Sequence, residues 1–306
     1  MNNILEDTEN RSVIEDIKQS LADGCNNFGF RLKRNLRLID ERKRMLEDNM
    51  RSQITDNFKI SAEPESYESL SGRNKVYLGA MLCYSYSAEE GKFMPLNSIN
   101  REFKLAPTES MCKSIISYLL KENVIMVDPD SYLNSFSKDG KEFDYRTVNY
   151  LLNVDICNLS LNEFINQKIP EALHDLRRDV VVEECIEYLI YITNQKGLRY
   201  VNRNIKKARG FIRAFSYSLS ESELIGTIDN AVIKAFAPNI DYMMDDEDYF
   251  ADLLLNEFRN TVHHKNLLGE GIILGENRKI MQSMISIYLY DIVLKKGASY
   301  FYEKAA

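Results

Sequence analysis

Arg259, Asn260, His263 and His264, in the stretch NEFRNTVHHKN at 256–266, bring together residue types that metal-free phosphodiester cleavage can use. Cleavage of RNA by its own 2′-hydroxyl needs a base to take that proton and an acid to protonate the leaving 5′-oxygen. It also needs a cation beside the crowded phosphorane. Histidine titrates near neutrality and serves as base or acid, while a guanidinium carries permanent charge in a bidentate geometry suited to phosphate. One Arg-His pair supplies too few groups for all three tasks.

The element that must position these groups is an amphipathic helix. DEDYFADLLLNEFRNTVHH opens on acids, which suit a helix N-terminus, and carries Phe250, Leu254, Phe258 and Val262 at four-residue steps. On that helix His263 lies one turn beyond Arg259, and His264 one turn beyond Asn260, on adjoining faces away from the apolar stripe. A loop, KNLLGEGIILGENR, follows, and a long closing helix is predicted from about Lys279 to Glu303.

An Arg, a polar residue, and a His four to six positions on, ahead of a loop and a closing helix, resembles the pattern of HEPN (higher eukaryotes and prokaryotes nucleotide-binding) domains. The resemblance spans residues 180 to 306, with Arg259, Asn260 and His264 at the motif positions and His263 as an extra neighbour. Many members are metal-independent ribonucleases of toxin-antitoxin, phage-defence and CRISPR-associated systems. The resemblance therefore implies catalysis by Arg259, Asn260 and His264, no cofactor, an RNA substrate, and a homodimer that sets two motifs face to face. It departs from the family in lacking a clean four-helix count upstream and an aromatic directly after the motif.

A second candidate site is basic. Between Glu187 and Glu221 no acidic residue occurs, while Lys196, Arg199, Arg203, Lys206, Lys207, Arg209 and Arg213 all fall in that window. At about 100° per residue, Arg199, Arg203, Lys206, Lys207 and Arg213 share one face, and Val201, Ile205, Ala208, Ile212 and Phe215 share the other. Such a stripe binds phosphates by releasing condensed counterions, or packs against acids such as Asp245, Asp246, Glu247 and Asp248. That acid run reads as a solvated helix start, and no metal is assigned to it.

Residues 67–137 form a third feature. RNKVYLGAMLCYSYS reads as a helix, PLNSINREF as a short second helix opened by proline, LAP as a turn, and TESMCKSIISYLLKEN as a third helix with Thr108 as N-cap. The β-branched strand VIMVDPDS follows. This order resembles a winged helix-turn-helix, with the helix from Thr108 to Glu122 in the recognition position and Glu109, Ser110, Lys113, Ser117 and Lys121 outward. Base-reading helices commonly lead with Arg, Lys, Asn or Gln, so the acidic lead Glu109 points toward docking of protein over DNA.

Upstream, residues 1–66 form a helical segment. From Ser12 to Ile54 apolar positions recur at near-heptad intervals, broken at 24–27, as in a helical hairpin or short coiled coil. Within it RLKRNLRLIDERKRMLEDNMR carries eight basic and four acidic residues, a solvated and salt-bridged face. SAEPESYESLSG, at 61–72, reads as a linker.

The fold class expected is mainly α, in three parts: the segment 1–66, the winged-helix-like module 67–137, and a helical domain 138–306 that is HEPN-like toward its end. The 306 residues, 44% hydrophobic with six prolines, are ample for a core. No apolar run nears the ~18 residues of a spanning helix, so neither a membrane nor secretion is expected. Cys25, Cys83, Cys112, Cys157 and Cys185 are scattered without metal-ligand spacing and read as reduced core thiols in a cytoplasm. His174 reads as a surface residue. A net charge of -7 confines any nucleic-acid binding to a local patch.

No phosphate-cradling Gly-rich loop, Gly-x-Ser-x-Gly elbow or His-Glu-x-x-His occurs. The expected function is an RNA-cleaving or RNA-binding effector of a toxin or phage-defence kind, held in check by a protein partner. The rival is a non-enzymatic winged-helix protein that binds DNA or docks on a larger ATPase or chromosome-organising or defence complex.

Overall fold

Helix dominates, as the recurring three-to-four-residue apolar spacing predicts, and the chain is mainly α. The computed structural model describes residues 28–58, 64–99, 103–156, 173–197, 202–236, 247–268, 275 and 280–304. They fall into two compact units, Met1–Lys59 with Pro129–Asp144, and Ile60–Asp128 with Tyr145–Ala306.

In the first unit α1, Phe28–Asn57, is one uninterrupted helix of 30 residues, about 45 Å long at 1.5 Å per residue. The remainder of the expected hairpin, from Ser12 to residue 27, lies outside the described residues. Segment 129–144 grips the C-terminal end of α1. The guanidinium of Arg51 donates to the carbonyls of Pro129 and Ser131 at 2.6 and 2.8 Å. Phe58 meets Phe136 and Phe143 with ring centroids 5.7 and 5.6 Å away, and Ile54 is fully buried. Gly140 sits at φ +63°, where a Cβ would lie 3.1 Å from Ile54 Cγ1. Glycine satisfies both the left-handed backbone and the close approach.

The second unit opens on β1, Glu65–Ser66, which pairs in parallel with β6, Val154–Asp155. Tyr67 and Leu70 are buried directly after it, so this stretch is built into the unit and is not the linker its polarity suggests. Two apolar anchors outweigh the surrounding serines and glutamates. Then comes α2, Gly72–Ser85, capped by Ser71, whose hydroxyl accepts from Asn74 N. A hairpin of β2, Tyr86–Ser87, and β3, Lys92–Phe93, follows. Residues 95–99 make turns where a proline-initiated helix was expected, and 100–102 lie outside the described residues.

α3, Glu109–Lys121, begins where predicted, with Thr108 Oγ1 accepting from Met111 N at 3.2 Å. It ends in a Schellman turn: Asn123, at φ 52°, donates to Leu120 O, and Val124 donates to Leu119 O. That reversal feeds β4, Ile125–Val127. β4 pairs antiparallel with β5, Tyr150–Leu152, and β5 with β3, giving the strand order β2-β3-β5-β4.

The helical part of this unit centres on α4, His174–Gln195. It is buried on nearly all sides through Leu176, Val180, Val181, Cys185, Tyr188 and Leu189. Around it lie α5, Asn202–Phe215; α6, Glu221–Phe236; and α7, Glu247–Leu268. Leu189, Ala208, Ile212, Ile228, Ala231, Leu254, Leu255 and Phe258, drawn from all four helices, meet around a void of about 10 Å³. His174 is exposed at the start of α4.

The closing helix expected from Lys279 to Glu303 is broken. A short α8, Met284–Ile287, widens into a π-helical turn at Tyr288–Val293. Lys295 and Gly297 then take positive φ, and a 3-10 turn spans Gly297–Tyr302. Left-handed backbone at two positions ends a helix however apolar its face. Close packing adds a constraint on the same segment, because a Cβ on Gly79 of α2 would lie 2.0 Å from Tyr288 Cζ.

Candidate functional site

A cleft of about 940 Å³ opens in the second unit where the first turn of α3 faces α4 and α5. That volume falls at the upper end of the roughly 300–1,000 Å³ usual for ligand sites. A chain of polar contacts builds its floor. Thr108 Oγ1 donates to Glu183 Oε2, and the Arg209 guanidinium grips the same carboxylate through both Nε and Nη2, the latter at 3.0 Å. Thr108 and Glu183 are 8% and 9% exposed, so this carboxylate is a buried charge satisfied on both sides. Three elements are thereby locked together at the helix start.

The rim is mixed in character. Tyr145 donates its hydroxyl to Glu109 Oε1 at 3.2 Å, and Lys113 and Arg146 lie over the Tyr145 ring at 5.4 and 5.7 Å. Arg146 is held from behind, since its carbonyl accepts from Asn97 N. Lys104 pairs with Glu187, and the backbone around Lys104 is pinned by bonds from Met284 N and Ile285 N to the carbonyls of Lys104 and Leu105. Leu96, Leu105, Ile186, Ile190 and Ile205 supply apolar walls. Burial, and secondarily the charge of Glu109, pushes the Cys112 thiol up to about 12. Burial also raises the Tyr145 phenol, with smaller contributions from Cys112 and Glu109. Neither group is an acid or base near neutrality.

The basic residues of α5 divide. Lys206 is exposed, lines the cleft, and makes no ion pair among the described residues. Lys207 is paired with Asp252 at 2.8 Å, and Arg213 with Asp179 at 2.5 Å. Arg73 reaches the same aspartate at 3.4 Å. Arg199 lies outside the described residues, as does the side chain of Arg203. The opposite face is apolar as read, with Ala208 and Ile212 buried.

The Arg-His motif sits elsewhere, on α7, and none of its residues lines the cleft. α7 runs through it without a break, burying Leu254, Leu255, Phe258 and Val262 on one side and exposing Arg259, Asn260 and His263 on the other. His264 belongs to the helix, but its side chain lies outside the described residues. On a continuous helix Arg259 and His263 stand about 40° apart, whereas Arg259 and His264 stand about 140° apart.

Sequence reasoning placed Lys206 in a binding stripe and read Thr108 only as an N-cap; it missed Lys104, Tyr145, Arg146, Glu183 and Arg209 as parts of one site. They come from four separate stretches of chain, and only Glu183 and Glu187, one turn apart on α4, hinted at a polar face on a buried helix. Among the described residues no group of three or more His, Cys, Asp or Glu side chains is placed to hold a metal ion. No described helix is long and apolar enough to cross a membrane. Compared with protein families, with curated proteins and with solved structures, the chain matches none.

Proposed function

We propose that this chain is a non-enzymatic docking protein that takes an acidic, aliphatic-rich segment of a protein partner into the cleft at the start of α3. The observation that supports it most is the composition of that cleft. Aliphatic walls at Leu105, Ile190 and Ile205 surround a rim where Lys206 stands without an ion pair among the described residues. A segment carrying Asp or Glu beside Leu or Ile complements both features, the apolar area supplying affinity and the charge supplying orientation. The order α2, α3, β4 and β5 is compatible with a winged-helix-like module serving as the platform. A duplex is the weaker occupant. The first turn of α3, which a base-reading helix leads into the major groove, is tied to α4 through Thr108, and its lead residue is Glu109.

Fluorescence anisotropy against a panel of peptides with and without acidic-aliphatic pairs tests the reading. Peptides of that kind bind, more tightly at low salt, and Lys206→Glu or Ile190→Glu weakens them about tenfold or more. Tight binding of duplex DNA, or indifference of the peptides to both substitutions, sinks it.

A second reading draws on one observation: Arg259, Asn260 and His263 all point outward beside His264, where a second copy could complete a site for RNA cleavage. It requires single-stranded RNA to be cut in EDTA by the wild type and not by Arg259→Ala or His264→Ala. Cleavage that persists in both variants removes the motif from the mechanism.

A further inference from the structure

We infer that α1 carries a self-association seam, along which two copies of this chain pair as a parallel coiled coil; this rests on neither reading of the function. Leu32, Leu36, Ile39, Lys43, Leu46 and Met50 follow one another at alternating steps of four and three, the a/d pattern of a left-handed coiled coil. Leu36 and Leu46 are 49% and 63% exposed, and Ile39 and Met50 are half-buried. An isolated amphipathic surface of this kind on a helix reaching about 28 Å is stabilised chiefly by burying it. Among the described residues the contacts of segment 129–144 with α1 begin at Arg51, beyond the exposed Leu36 and Leu46.

Charge complementarity selects the occupant and its direction. With Leu36, Lys43 and Met50 at a, Arg42 falls at g and Lys33, Asp40 and Glu47 fall at e. In a parallel pair each g residue meets the e residue five positions on in the partner copy, which sets Arg42 against Glu47 twice. An antiparallel pair of the same seam matches e with e and g with g, which sets Lys33 against Glu47 but also Asp40 against Asp40 and Arg42 against Arg42, two like-charged pairs. Lys43 at a lies 3.9 Å from Glu47 of its own helix, which offsets its charge at the seam. A lone Lys at an a position also favours one register and a low oligomer number over larger bundles. Fewer than three heptads make the association weak and concentration-dependent.

Sedimentation equilibrium of the full chain tests this. The mass rises from 35.5 kDa toward twice that value over roughly 1–100 µM. Leu46→Asp holds the chain at the monomer mass, with circular dichroism confirming that the exposed substitution leaves the fold intact. Arg42→Glu and Glu47→Arg each oppose like charges in their own homodimers and weaken self-association about tenfold or more, whereas an equimolar mixture of the two regains the dimer. Oxidation of Leu46→Cys then links position 46 to position 46. A monomer at every concentration overturns the inference, as does a dimer indifferent to Leu46→Asp, or a mixture no tighter than its components. A seam occupied by another part of the same chain gives the monomer result.

Discussion

The hydroxyl of Thr108 donates to the carboxylate of Glu183, 75 residues further along the chain, while accepting from the backbone of Met111. One side chain thus caps α3 and anchors it to α4. Removing it with Thr108→Ala lowers the unfolding free energy in urea by about 1–2 kcal/mol, and Thr108→Ser retains most of it. A double-mutant cycle with Glu183→Gln gives a coupling of about 0.5–3 kcal/mol; additive effects would show that the cap and the anchor are separate.

Gly79 packs against Tyr288 without space for a methyl group. Gly79→Ala accordingly destabilises the chain by about 3 kcal/mol or more, because both partners lie in the core and neither can shift freely. Adding Tyr288→Leu recovers part of that loss in thermal unfolding. Full stability of Gly79→Ala alone would place the α2 contact elsewhere.

Arg51 holds two carbonyls of segment 129–144 with a charged donor. Arg51→Met keeps the aliphatic stem and removes the donors, at a cost of about 1.5–3 kcal/mol per bond. The effect is local, so trypsin cuts sooner at the exposed Lys138 and Lys141 while global unfolding shifts less. Equal proteolysis of variant and wild type would contradict the assigned contact.

Burial pushes the Cys112 thiol up to about 12 and raises the phenols of Tyr67, Tyr188 and Tyr288. A folded-state value above the unfolded one means that the native chain holds more protons once pH exceeds the unfolded value, so stability is full below about pH 9 and falls as pH rises toward 12. Chemical unfolding across that range shows the decline. At pH 8 iodoacetamide labels Cys112 at least about a hundredfold more slowly in the native chain than in urea, since the thiolate is the reactive form. Rapid native labelling of Cys112 would contradict the raised thiol.

Much of the local structure was legible in the residues alone. Thr108 marked the start of α3 because a capping hydroxyl acts within one turn. The two faces of α5 separated correctly at Ala208, Ile212 and Lys206, because a 3.6-residue period is a property of the helix itself. The stripe of α7 followed the same rule at Leu254, Phe258 and Val262, and its exposed side at Arg259 and Asn260 was the complement of that stripe.

Tertiary structure decided which of the exposed charges remained unpaired among the described residues. Arg213 and Lys207 looked like members of a phosphate-binding stripe until Asp179 and Asp252, 34 and 45 residues away, were brought beside them. The same holds for the cleft, whose walls converge from four stretches of chain. Pro129–Asp144 likewise joins α1 through contacts nearly eighty residues apart. Period and capping are short-range consequences of backbone geometry, and sequence spacing reports them. Ion pairing across helices depends on which faces the core brings together, and no spacing along the chain encodes that distance.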